Sequence, residues 1–199
     1  MTGPAHSNPV LAASIPTKAS PLTAPIGEIV ATRLRDIPDF PVPGVTFKDF
    51  TPLLSDGPAL RAVVKDIAGR YAGHVDVIVG VEARGLILGA AVAYELGIGF
   101  VPVRKAGKLP GKTHSAGYDL EYGSAVIEVH TDAFVGGKRA LVMDDVLATG
   151  GTAEAACELV ERAGASVEAV EVVLELLFLH GRNKLAGRPV HAMLSVQGR

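Results

Sequence analysis

The run VDVIVGV at 75–81 does most to limit what this chain can fold into. It is a nearly continuous β-branched segment, far shorter than the ~18 residues of a membrane span. Such runs suit a strand covered on both faces of a sheet, which requires helices above and below it. The text that follows supplies them. GLILGAAVAYELG at 85–97 reads as a helix closed by Gly97, and GTAEAACELVERAG at 151–164 as another closed by Gly164. Between and after them lie FVPVRK (100–105), RALVMDD (139–145) and VEAVEVVLEL (167–176), each a strand. Strand and helix in alternation predict an α/β fold built on a parallel sheet with flanking helices and right-handed crossovers. YDLEYGSAVIEVH (118–130) instead alternates around Gly123-Ser124 and predicts a hairpin. No internal repeat is visible.

Ahead of this alternation, residues 1–25 are rich in Pro, Ala, Ser and Thr with almost no charge, which predicts a disordered tail. Residues 26–199 are read as a single domain. Ile26, Ile29, Val30 and Leu34 share a helical face, and that helix is expected to stop near Pro38. DFPVPGVTFKDFTPLL (39–54) is punctuated by Pro and Gly yet apolar, hence irregular but packed. A helix is expected over 58–71, with Leu60, Val63, Val64 and Ile67 on one side. A net charge of −2 and a pI near 6.3 give no support for nucleic-acid binding. The one cysteine, Cys157, excludes an intrachain disulfide framework. There is no apolar run long enough for a membrane span and no secretory leader pattern, so a cytoplasmic protein is expected, with no membrane contact.

The stretch ALVMDDVLATGGTAEAA (140–156) carries the chemistry. Adjacent carboxylates repel, and Gly-Gly weakens strand and helix alike. In an open α/β sheet, ligands gather beyond the carboxyl ends of the strands. Asp144 and Asp145 stand at such an end, and Ala148, Thr149, Gly150, Gly151 and Thr152 open the next helix, where free amides and the helix dipole favour an anion. No GKS or GKT follows, and GxGxxG is absent, so neither a Walker A loop nor a dinucleotide fingerprint is present. Acids ahead of a phosphate cradle suit a sugar phosphate, whose hydroxyls donate to the carboxylates. A second strand-to-helix turn, Glu82-Ala83-Arg84-Gly85, offers a forked cation.

VMDDVLATGGT resembles the phosphoribosyl-pyrophosphate signature of the type I phosphoribosyltransferases. From Ile26 onward the chain is similar to the adenine-specific members of that family. FPVPGVTFKDFTPLL, GVEARGLILGAAVAYELG and VRKAGKLPGKTHSAGYDLEYGSAVIEVH carry the likeness as well. The resemblance implies the type I phosphoribosyltransferase fold, with a small N-terminal hood region and a β-hairpin flexible loop. It implies purine salvage: transfer of the 5-phosphoribosyl group from phosphoribosyl pyrophosphate to adenine, giving AMP and pyrophosphate.

The same resemblance assigns roles. Asp144, Asp145 and residues 148–152 would hold the phosphoribosyl group. Glu82, Ala83 and Arg84, with Arg104, Lys105 and Lys108 of the basic loop, would hold pyrophosphate. Glu121 would handle the proton of the purine imidazole, with Tyr122 beside it. Val45, Thr46, Phe47 and Lys48 would form the adenine pocket, Phe47 stacking on the base and Leu176 closing the other face. Lys48 departs from the Arg common after this Phe. Mg2+ is expected only as a chelate of phosphoribosyl pyrophosphate, since no histidine spacing resembles a metal site. A homodimer is implied, and Ile37, Phe40, Phe50 and Leu53 could face the partner. Two alternatives stand beside this reading: a 6-oxopurine transferase, and a phosphoribosyl-pyrophosphate sensor that binds DNA.

Overall fold

The computed structural model of the chain describes residues 24–40, 42–120 and 123–198. A helix α1 (Ile26–Ala31) is followed by strand β1 (Arg35–Ile37), strand β2 (Phe47–Asp49) and the short helix α2 (Thr51–Ser55). Helix α3 (Gly57–Tyr71) begins with the Asp56 carboxylate accepting from the Ala59 amide at 3.1 Å, an N-cap that the sequence places just ahead of Pro58. Then come β3 (Val77–Val81), α4 (Arg84–Leu96), β4 (Gly99–Lys105), β5 (Thr113–Leu120), β6 (Gly123–His130), β7 (Arg139–Leu147), α5 (Gly151–Arg162), β8 (Ser166–Leu176) and β9 (Val190–Val196). Two 3-10 turns, Leu177–Leu179 and Gly181–Leu185, connect the last two strands.

Among the described residues the main sheet has seven strands in the order β5-β6-β4-β3-β7-β8-β9. Its β4-β3-β7-β8-β9 portion is parallel, as the alternation predicted, and the β5–β6 hairpin adds antiparallel to the free edge of β4. Every residue of β3 is buried. Val77, Val79 and Val81 face the side covered by α5, together with Val142, Val172, Leu159 and Val160. Ile78, Leu141, Met143 and Val173 face the opposite side, against Val63, Ile67 and Val92 of α3 and α4. The period-two alternation of a strand thus feeds two cores, one on each face.

Three expectations are corrected. The first helix ends at Ala31 rather than near Pro38, because 35–37 pairs antiparallel with 47–49, Ile37 opposite Phe47. The segment 39–54 is therefore part of a small two-stranded sheet and a helical turn, not wholly irregular. Phe50 and Leu53 are fully buried with Ile29, Val30 and Ile67, so they stabilise the hood region and face no partner. Strand β9 lay outside the sequence expectations altogether. The tail expected over 1–25 falls almost wholly outside the described residues, as do the positions of Glu121 and Tyr122.

Candidate active site

Parallel neighbours β3 and β7 end side by side, so the turns that leave them share one edge of the sheet. Gly85 makes that proximity possible: a Cβ there would lie 2.6 Å from the Met143 carbonyl oxygen and 3.1 Å from the Asp144 Cα. The start of α4 therefore rests directly on β7, which brings Arg84 to Asp145. Arg84 Nε donates to the Asp145 carboxylate, and its guanidinium carbon stands 5.3 Å from the centre of the Phe47 ring. Among the described residues the Nη groups of Arg84 make no hydrogen bond, so four N–H donors stay free for an anion.

Asp144 and Asp145 are both buried, at 9% and 5% exposure. The Asp144 carboxylate accepts from the Asp145 amide at 2.8 Å. Burial, reinforced by the neighbouring Asp145 charge, pushes the Asp144 carboxyl well above the usual carboxylate range. Beyond them Ala148 and Thr149 lead into Gly150, whose φ of 83° begins α5. The Glu154 amide bonds to the Gly150 carbonyl at 2.9 Å, leaving the first-turn amides before it directed out of the helix end. Thr149 and Thr152 are half-buried beside those amides.

The pyrophosphate residues proposed from the sequence are drawn together by one acid. Glu82 accepts from the Lys105 amide at 2.9 Å and from Arg104 Nε at 3.3 Å. The Lys105 amide and then Arg104 hold its carboxyl below the usual range. Glu82 thus ties the ends of β3 and β4 and aims Arg104, while the Glu82–Ala83 bond beside it is cis. Lys105 and Lys108 are exposed. Their loop is anchored by Glu128, buried on β6, which accepts from the Lys108 and Leu109 amides at 3.1 and 3.0 Å. Nothing in the sequence pointed to Glu128 beyond its place in the hairpin.

A cleft of about 340 Å³ opens between the hood region and the end of β8. Val45, Thr46 and Lys48 form one wall, Leu176 and Phe178 the other, and Ala148 of the proposed phosphate loop reaches its floor. Four of the residues expected around a base, Val45, Thr46, Lys48 and Leu176, therefore line one cavity with the first residue expected around a phosphate. The ring of Phe47 packs instead against Arg84 and, edge-on at 5.2 Å, against Phe40. Lys48 Nζ bonds Asp36 at 2.7 Å. Phe178 and Leu179 also line the cleft without having been expected. Their only sequence signal is position, apolar residues just past a strand's carboxyl end.

The comparisons with known proteins agree with this geometry. The phosphoribosyl transferase domain family matches residues 54–193. The adenine phosphoribosyltransferase of Salinispora tropica is 61% identical over 171 residues, covering 85% of this chain and 90% of that protein. The crystal structure of the adenine phosphoribosyltransferase from Thermoanaerobacter pseudethanolicus superposes with a TM-score of 0.81 at 45% identity, over 85% of this chain and 99% of the other. That of the Saccharomyces cerevisiae enzyme, complexed with an imino-altritol bisphosphate and adenine, gives 0.81 at 38% identity over 85% and 98%. Seven-stranded sheet, twin strand-end turns and sequence all converge, and the chain belongs to the phosphoribosyltransferase family, among its adenine phosphoribosyltransferases.

Proposed function

We propose the following division of labour for the reaction of this family, in which phosphoribosyl pyrophosphate and adenine give AMP and pyrophosphate. The 5′-phosphate is held by the amides of 148–152, with the Thr149 and Thr152 hydroxyls donating to its oxygens. Asp144 and Asp145 accept hydrogen bonds from the ribose hydroxyls. Adenine enters between the 45–48 segment and Leu176. Val45, Thr46, Lys48 and Leu176 line one cleft with Ala148, the first residue of the phosphate loop, and that is the observation that carries the reading.

During reaction the bond between the anomeric carbon and the purine N9 forms as the bond to pyrophosphate oxygen breaks, and pyrophosphate leaves with the electron pair. Arg84, Arg104, Lys105 and Lys108, with the Ala83 amide, stabilise the departing charge, and Glu82 orients Arg104 for it. Glu121 takes or holds the imidazole proton, with Tyr122 completing that side of the site. The hairpin and its basic loop close over the sugar and keep water from an oxocarbenium-like centre. Among the described residues no cluster of three His, Cys, Asp or Glu side chains is placed to hold a metal ion. Mg2+ is read as arriving chelated by phosphoribosyl pyrophosphate, where it would neutralise the pyrophosphate, and Asp144 and Asp145 would accept from its water ligands.

We also propose a homodimer. Ile87 and Tyr94, at 51% and 88% exposure, lie two helical turns apart on α4, and half-exposed Phe40 adds to the apolar surface. Sedimentation of the wild type and of Tyr94→Arg tests this. The domain is read as 26–199 and the compartment as the cytoplasm. Cys157, a core thiol pushed up to about 12 by burial, is suited to a packing role in any compartment. No helix among the described residues is long and apolar enough to cross a membrane.

Turnover with adenine, hypoxanthine, guanine and xanthine tests the activity: adenine is expected to dominate, and negligible adenine turnover would overturn the reading. Glu121→Ala is expected to keep phosphoribosyl-pyrophosphate binding while kcat falls about 10²-fold, the scale of general acid–base groups. An unchanged kcat would send the proton elsewhere.

A further inference from the structure

The segment between β8 and β9 has so far contributed only Phe178 and Leu179 to one wall of the cleft. Its backbone also presses on the proposed phosphate loop. A Cβ added to Gly181 would collide with the Ala148 carbonyl oxygen and come within 2.9 Å of the Gly150 amide nitrogen. Reciprocally, a Cβ on Gly150 would collide with the Gly181 carbonyl. Two glycines face each other, backbone on backbone, because the 148–150 turn is packed too closely against 181 for any side chain. A loop containing Gly150-Gly151 has little stiffness of its own, so its position depends on what stands behind it.

What stands behind it is firmly held. Arg182, the next residue, forks onto Glu175: Nε donates to one carboxylate oxygen at 2.9 Å and Nη2 to the other at 2.6 Å. Its Nη1 donates to the Val190 carbonyl at 2.6 Å, so the one guanidinium ties the segment to the end of β8 and the start of β9. The Glu175 side chain is only 4% exposed, and Ser195 adds a weaker contact at 3.4 Å. Downstream, Leu185 is buried among Ala153, Ala156, Cys157 and Val160 of α5. Arg188 then pairs with Glu161 of the same helix at 3.0 and 2.9 Å. The segment is thus braced against α5, which the phosphate loop opens, and against β8, the neighbour of the strand that leads into that loop.

We propose that Glu175 and Arg182 are positioning residues for the 5′-phosphate: their ion pair holds the Gly181 backbone against 148–150 and so sets where the loop amides point. Phe178 and Leu179 ride on the same segment, so the brace also fixes the spacing between the phosphate and base sites. The proposal rests on the reading of 148–152 as the 5′-phosphate loop. Pre-setting a soft loop matters because small misplacements of a substrate anchor are costly in rate and affinity.

Steady-state kinetics of the full chain with phosphoribosyl pyrophosphate and adenine, with thermal melts alongside, test it through four variants. Gly181→Ala displaces the loop without touching the substrate; KM for phosphoribosyl pyrophosphate is expected to rise about tenfold, and KM for adenine less than about threefold. Arg182→Met should move the same constant in the same direction, and Arg182→Lys, which keeps the charge and one bond, should recover part of it. If Arg182→Met lowers the melting temperature while the two KM values keep their ratio, the pair serves stability alone and the proposal is overturned. Should Gly181→Ala fail to fold, the Arg182 pair decides by that same ratio. Thr152→Val separates the underlying reading: an unchanged KM for phosphoribosyl pyrophosphate removes the phosphate loop and the brace with it. A raised KM there, with Gly181→Ala and Arg182→Met both silent, removes the brace only.

Discussion

Met143 of β7 lies opposite Glu171 of β8, so the buried acid Glu171 and the buried pair Asp144-Asp145 are near neighbours on adjacent strands. Their surroundings differ. Both oxygens of Glu171, fully buried, are 3.2 Å from Arg70 Nη1; one is also 2.9 Å from the Tyr71 hydroxyl and the other 2.9 Å from His191 Nδ1. Burial still raises its carboxyl above the usual range, with His191, Tyr71 and Arg70 pulling the other way. Burial and the same carboxylate push the Tyr71 phenol up in turn. Among the described residues Asp144 has one backbone donor and a like charge beside it. The lesson is in the unused lone pairs. A carboxylate surrounded by donors is satisfied by the fold itself, whereas one with few protein donors keeps lone pairs open to a ligand's hydroxyls.

Replacing each acid sharpens this contrast. Glu171→Ala should have the largest effect on stability, a loss of about 3 kcal/mol in denaturant unfolding, since it strips the buried Tyr71 hydroxyl of its partner and leaves Arg70 with Asp66 alone. Turnover per folded molecule should hardly change; lost turnover with intact stability would reverse the two roles. Asp144→Asn should do the opposite. Affinity for phosphoribosyl pyrophosphate is expected to fall about tenfold or more, the scale of a hydrogen bond to a charged group, with stability equal or higher. Unaltered affinity would argue against the ribose contact.

The sign of the pH dependence follows from the same pair. Asp144 is raised in the folded state, so the stability linked to its proton is complete below the ordinary carboxylate range and is lost as pH rises through its elevated value. A ribose hydroxyl donates more strongly to the ionised form, which accepts through both oxygens. Binding of phosphoribosyl pyrophosphate should therefore release protons and strengthen with pH across that window. Calorimetry in buffers of different protonation enthalpy measures the release, and Asp144→Asn should abolish the Asp144 share. The hood region runs the other way. Asp49, lowered to about 2 by Thr51 and then Arg35, contributes stability above the ordinary Asp value that is lost as pH falls toward about 2. The smallest effect belongs to Lys48→Arg. Its ammonium pairs with the exposed Asp36, so KM for adenine should shift by less than about twofold, and a larger shift would give that side chain a direct role in the base pocket.

Much of this was legible in the residues. The β-branched run at 77–81, the closures at Gly97 and Gly164 and the acids before Thr149 announce themselves through local chemistry. The residues proposed for the base came through resemblance; Val45, Thr46, Lys48 and Leu176 line one cleft, and Phe47 is not part of its lining. Other features carry no local mark. Strand β9 is half-buried, and its strand geometry comes with its parallel ladder to β8, Val172 opposite Ala192. Phe47 reads as a stacking ring, yet its neighbours are Arg84 and Phe40, set by how the hood lies on α4.

Periodicity, turn residues and the acid-Gly-Gly signature by themselves determined the layered α/β architecture, the order of its helices and most strands, and the sheet edge that carries the chemistry, because those properties depend on neighbours a few residues apart. Only the folded chain decided that Arg84 meets Asp145 and that Glu128 anchors the basic loop. It alone brought Gly181 against Gly150, and it alone left Asp144 short of donors while Glu171 was satisfied. These are contacts between residues some 20 to 100 positions apart, created when strands align side by side, and no local pattern encodes a distance that packing alone sets.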